Sequence, residues 1–145
     1  MILPDVNVLI YAHRAESPDH ARYAAWLTGL VTSDQPFAVS ELAASAVIRI
    51  ATNPKAFQPA STLQEAFAFV DSMLEQPNCR RLRPGPDHWT IFQRLAGGAQ
   101  ARGKLVADAY HAALAMEYGC EFVTADSDFA RFAGLRWRHP LAAQK

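Results

Sequence analysis

Sulfur is scarce in this chain: Cys79 and Cys120 are its two cysteines, too few for a disulfide scaffold. Neither sits in a CxxC or in a Cys/His spacing that suits zinc, so both are read as buried reduced thiols. Long apolar runs are missing too. No stretch approaches the ~18 uninterrupted apolar residues of a membrane span, and the start MILPDVNVLIYAHR has no basic leader before its apolar run. The expectation is a cytoplasmic protein without a signal peptide. Net charge is absent, with 14 Lys plus Arg against 14 Asp plus Glu, so no global positive field advertises nucleic acid. Internal repeats and low-complexity segments are lacking, and no His pair or Ser/His/Asp arrangement offers a side-chain nucleophile. At 145 residues the chain suits one domain, 1–145, large enough to bury a core without staples.

What is present is an alternation of short strands and amphipathic helices. Ile2-Leu3-Pro4 is an opening strand that gives way at once to a helix over Val6 to Ala12. Ser17-Pro18 reads as N-cap and first helical residue, where proline's missing N–H costs nothing, ahead of a stripe of Tyr23, Trp26, Leu27 and Leu30. Phe37 to Val39 is a second strand, with Ser40 as N-cap of a helix whose Leu42, Ala43, Ala46, Val47 and Ile50 share one face. Asn53-Pro54 ends that helix. Thr62 and Glu65 form a capping box opening a helix expected to bury Leu63, Phe67, Val70 and Leu74. A strand from Cys79 to Leu82 follows, then the Pro84-Gly85-Pro86 turn and a helix from Asp87, broken at Gly97-Gly98. The next helix, from about Val106, carries Val106, Ala109, Tyr110, Ala113 and Leu114 inward and ends near Gly119. Glu121 to Val123 is a fourth strand, and a weaker fifth lies around Leu135 to Arg138.

Strands separated by helical crossovers argue for an α/β fold, a parallel sheet covered on both faces. Ligands of such sheets bind beyond the carboxyl ends of the strands. That edge is where the acids converge. Asp5 follows the first strand, Glu41 opens the helix after the second, Asp126 and Asp128 follow the fourth, and Asp108 falls in the first turn of a helix running back against the sheet. So many carboxylates at one edge need a cation or strong hydrogen-bond donors, and Mg²⁺ or Mn²⁺ is the simplest occupant. Each acid also has a structural reading: Asp5 as a helix cap, Glu41 and Asp108 as favourable first-turn charges, Asp126 and Asp128 as an Asx-turn and N-cap pair. A basic rim would suit a polyanion, and Arg80, Arg81, Arg83, Arg94, Arg102, Lys104, Arg131, Arg136 and Arg138 all lie in the second half, although each also reads as an ordinary solvated surface charge.

The blocks LPDVNVLIYAHR, SELAASAVIRIATNP, GKLVADAYHAALAMEYGCEFVTADSDFARF and LRWRHP, in that order, resemble the PIN-domain ribonucleases, specifically the VapC-like toxins of type II toxin–antitoxin pairs. The resemblance covers nearly the whole chain, and it is the succession of blocks that makes it specific. It implies a three-layer α/β/α sandwich around a parallel sheet of about five strands. By motif position Asp5, Glu41, Asp108 and Asp126 match the family's catalytic acids, with Asp5, Asp108 and Asp126 as metal ligands. Asp128 matches an auxiliary position, and Asn7 and Thr124 match polar supports. Within ThrAlaAspSerAsp, Asp126 is favoured over Asp128 because it comes sooner after the strand. The resemblance also implies a homodimer restrained by a small VapB-like antitoxin.

The expected chemistry is endonucleolytic hydrolysis of RNA by a metal-activated water, with a remaining carboxylate orienting or deprotonating that water and leaving a 5′-phosphate and a 3′-hydroxyl. His111, three residues after Asp108, reads as a packing or solvent-facing residue before a proton carrier. Arg49, two turns beyond Glu41, suits either an acid or RNA. Two other classes compete. A noncatalytic PIN-fold module binding RNA or protein would be expected to have lost an acid, yet all are present. A receiver-like signalling domain needs a phosphoacceptor Asp after the third strand, where CysArgArgLeuArgProGly offers none.

Overall fold

The computed structural model of the chain describes residues 1–142. The elements run β1 (Ile2–Pro4), α1 (Val6–His13), α2 (His20–Val31), β2 (Phe37–Ser40), α3 (Glu41–Ala51), α4 (Leu63–Leu74), β3 (Cys79–Leu82), α5 (His88–Gly98), α6 (Lys104–Glu117), β4 (Glu121–Val123), a 3₁₀ turn (Ser127–Arg131) and β5 (Trp137–Arg138). The sheet order is β3-β2-β1-β4-β5, and every pairing is parallel.

Alternation along the strands sorts side chains to two cores. Phe37 and Val39 of β2 join α1, α2, α3 and α4 on one face. Ala38 between them joins Leu3, Leu82 and Phe122 against α5 and α6 on the other. The result is the expected α/β/α sandwich, with four helices on one side and two on the other. Leu3 sits in register with Phe122, and Phe122 packs against Phe129 of the 3₁₀ turn with ring centroids 4.7 Å apart. That contact pins the segment after β4 beneath α6.

Local chemistry explains most boundaries. Ser40 accepts a bond from the Ala43 amide at 2.8 Å, and the Thr62/Glu65 box is closed in both directions at 3.1 Å, so both α3 and α4 start at satisfied caps. Gly119 follows the end of α6 at φ +66°, a conformation glycine adopts without penalty.

Several expectations shift. The second helix begins at His20, after Asp19 in a left-handed conformation, while Ser17-Pro18 belong to the preceding turn. The buried stripe of α4 is Ala66, Val70 and Met73. Leu63 and Phe67 are 58% and 47% exposed, because the helix is rotated to set the small Ala66 against the core, and Leu42 of α3 also faces outward. α5 continues through Gly97-Gly98, the two exposed glycines forming its last residues rather than a break. α6 starts at Lys104, two residues before Val106, which moves Asp108 out of the first turn. β5 is confined to Trp137–Arg138. Among the described residues no helix is long and apolar enough to cross a membrane.

Candidate active site

The sheet order supplies a switch point. From β1 the chain builds outward through β2 to β3, then returns to the other side of β1 for β4 and β5. The crevice beyond the adjacent carboxyl ends of β1 and β4 is where a doubly wound sheet receives its ligand. Pro4, the last residue of β1, pairs with Val123, the last of β4, so Asp5 and Thr124 emerge side by side.

Thr124 is fully buried and organises this edge. Its hydroxyl donates to Asp5 Oδ2 at 2.7 Å and accepts from the Asp126 amide at 3.0 Å. Asp5 Oδ1 accepts from the Val6 amide at 2.7 Å, so Asp5 is at once the N-cap of α1 and a wall of the crevice. Asn7 closes the frame: its Oδ1 accepts from the Ala125 amide at 3.4 Å, and its amide nitrogen lies 3.5 Å from Thr124 Oγ1. Burial raises the Asp5 carboxyl above its ordinary value, the Asp108 charge adds to this, and the bonds from Thr124 and Val6 and the nearby His111 oppose it.

Asp5, Asn7, Asp108 and Asp126 line one cavity of about 420 Å³, with Arg49, Lys104 and His111 on its wall. Asp108 is mostly buried. Its Oδ2 lies 3.0 Å from Lys104 Nζ, and the same ammonium reaches Asp126 Oδ2 at 3.0 Å. Partial desolvation works against the Lys104 charge, but the bonds and charges of Asp108 and Asp126 outweigh it and raise the ammonium's pKa. For Asp126, desolvation is outweighed by the Asp128 amide and Lys104, which hold the carboxyl below its ordinary value. His111 is pushed down by burial despite the charges of Asp5 and Asp108.

Not every expected residue arrives here. Asp128 is exposed; its amide donates to Asp126 Oδ1 at 2.9 Å, closing an Asx turn, while Asp126 is the member that faces the cavity. Glu41 is held elsewhere: both of its oxygens accept from Arg83, at 2.7 and 2.9 Å, and it lines a separate hollow with Phe67 and Arg81. Arg83 keeps the Glu41 carboxyl below its ordinary value. Among the described residues no group of three or more His, Cys, Asp or Glu is gathered tightly enough to hold a metal ion. The expected trio of Asp5, Asp108 and Asp126 therefore shares a cavity without converging on a point, and the cation between two of them is Lys104. Sequence reasoning counted Lys104 only as one basic residue among nine; its i, i+4 spacing from Asp108 was the available signal.

The PIN domain family model matches residues 2–135. The chain belongs to the PIN-domain family. It is 43% identical over 144 residues to a VapC ribonuclease of Mycobacterium bovis, covering 99% of this chain and 98% of the relative. It is 41% identical over 140 residues to ribonuclease VapC31 of Mycobacterium tuberculosis, covering 97% and 99%. Among solved structures, VapBC-1 from nontypeable Haemophilus influenzae superposes with a TM-score of 0.72 at 15% identity over 98% of this chain and 100% of that one. At that identity the likeness concerns the PIN fold alone.

Proposed function

We propose that this PIN-domain protein is a divalent-metal-dependent endoribonuclease, the toxin of a type II toxin–antitoxin pair. The observation that carries the reading is the cavity at the carboxyl edge of β1 and β4, which Asp5, Asp108 and Asp126 all line and where a single ammonium is shared by two of them. Full-length similarity to VapC ribonucleases supports the activity.

The donors suit Mg²⁺ or Mn²⁺: all are carboxylate oxygens, as hard cations require, and Asp108 and Asp126 already share one positive charge. Asp108 and Asp126 would hold the ion directly and Asp5 would complete the set. Such an ion supplies charge to the phosphate and acidifies a water for attack. The protein's part is to fix the acids. Thr124 and Asn7 set the angle of Asp5 and the 124–126 backbone, much as outer hydrogen bonds orient ligands generally, and Arg49 stands on the wall within reach of a phosphodiester backbone. Glu41, with Arg83 on both oxygens, joins the acids only if Arg83 releases it. Attack by water rather than the ribose 2′-hydroxyl leaves 5′-phosphate and 3′-hydroxyl ends on single-stranded RNA.

The same proposal takes residues 1–145 as one PIN domain, cytoplasmic, homodimeric and restrained by a VapB-like antitoxin, a reading supported by the full-length similarity to VapC ribonucleases. A noncatalytic RNA- or protein-binding role has one observation on its side, the Lys104 ammonium standing among the acids. Sequencing the RNA ends produced after brief expression separates the two. New ends bearing 5′-phosphates support the nuclease, and an unchanged end profile supports the binding module.

A further inference from the structure

Lys104 Nζ is equidistant from two carboxylates that approach from different parts of the chain, 3.0 Å from Asp108 Oδ2 on its own helix and 3.0 Å from Asp126 Oδ2 beyond β4. The acids are enclosed, with side chains 12% and 25% exposed, whereas the lysine side chain is 73% exposed. An ammonium bridging two enclosed carboxylates from the solvent side has the geometry of a bound cation, on a tether. Two such acids without a countercharge would repel and draw apart. With Lys104 between them they stay close.

We propose that Lys104 holds the place of the divalent ion in the metal-free protein, as a tethered cation that must swing out when the ion binds. The inference rests on the reading of Asp108 and Asp126 as metal ligands. Its exposed four-carbon stem lets Lys104 leave without disturbing α6, and the two carboxylates need only close from ammonium distance to the roughly 2.1 Å of a Mg²⁺–oxygen bond. Lys104 thus does two opposed things. It preorganises the ligand pair, and it competes with the metal for it, so the protein binds metal less tightly than its acids alone would allow. Once displaced, the ammonium remains at the mouth of the cavity as a phosphate contact.

The test is calorimetric titration of Mn²⁺ into wild type, Lys104→Met, Lys104→Arg and Asp108→Asn, with thermal melts in chelator and in saturating Mn²⁺. Two ion pairs made by a largely exposed ammonium, each of ordinary surface strength, predict that Lys104→Met binds Mn²⁺ about fivefold more tightly than wild type. It should also melt lower in chelator and gain more from saturating metal. Lys104→Arg, keeping the charge, should return most of the way to wild-type affinity, and Asp108→Asn should bind poorly. A merely structural lysine would not tighten metal binding when removed. Equal or weaker Mn²⁺ affinity in a folded Lys104→Met overturns this inference and leaves the metal reading standing. No saturable binding in wild type or Lys104→Met removes the metal reading, and this inference with it.

Discussion

Thr124 shows how much one buried hydroxyl can arrange. By donating to Asp5 and accepting from the Asp126 amide it links the ends of two strands whose residues are 119 apart in sequence. The hydroxyl is satisfied in both directions, so burying it costs little. Asp5, Asp108 and Asp126 could be assigned to one edge from the sequence because Asp5 and Asp126 follow recognisable strands and Asp108 lies near the start of a helix running back against the sheet. The pairings that set their charge state could not. Lys104 meets Asp126 across 22 residues and Arg83 meets Glu41 across 42; neither spacing has a local signature. Elsewhere a half-buried histidine gives a pH-dependent consequence. His13 bonds Ser61 at 2.9 Å and packs against Phe69 with ring centroids 4.6 Å apart; partial burial, with Arg14 nearby, lowers its pKa below 6.5. His111 is lowered as well. At these two histidines the unfolded chain therefore takes up protons more readily than the folded one, so the stability they contribute above about 6.5 is lost as pH falls toward the lowered values, against an opposite contribution from the raised Asp5 carboxyl. Urea midpoints should drop between pH 7.5 and 5.5, and His13→Gln should shrink that drop. A flat profile, or one rising toward acid, contradicts the assignment.

At the scale of elements, caps and faces differ in legibility for a physical reason. Caps are local, so the Ser40 cap and the Thr62/Glu65 box could be read from a few adjacent residues. Which face of an amphipathic helix turns inward depends on its neighbours, and α4 has apolar residues on more than one side. Ala66, Val70 and Met73 won the interior while Leu63 and Phe67 stayed outside, since the small alanine permits close approach to the core. The α6 boundary falls earlier than expected because the helix starts behind Gly103, an N-cap with no side-chain hydrogen bond and so no capping residue to read in the sequence. The box itself is testable: Thr62→Ala removes the acceptor for the Glu65 amide and should destabilise by about 1 kcal/mol. Denaturant unfolding measures it, and cleavage should be unchanged because α4 lies away from the cavity. A loss of activity without a loss of stability would refute this separation.

For the whole molecule, sheet order decides what can meet. Cys79 opens β3 and Cys120 precedes β4, with β2 and β1 between those strands. Three interstrand spacings come to roughly 14 Å, well beyond the ~7 Å Cα limit for a disulfide, and both thiols are free. Thiol titration of the unfolded, unreduced protein should find both; their absence would refute the order. The same order sets Asp5 beside the 124–126 segment and brings α6 back over them, which is the whole basis of the candidate site. The most direct measurement of that claim is cleavage of single-stranded RNA by wild type, Asp5→Asn, Asp108→Asn and Asp126→Asn in Mg²⁺ or Mn²⁺, with a chelator control and parallel melts. Wild type should cut only with metal. Each amide variant should stay folded and lose on the order of a hundredfold or more in rate. Full activity in Asp5→Asn or Asp108→Asn, or wild-type cleavage that ignores the chelator, would contradict the account.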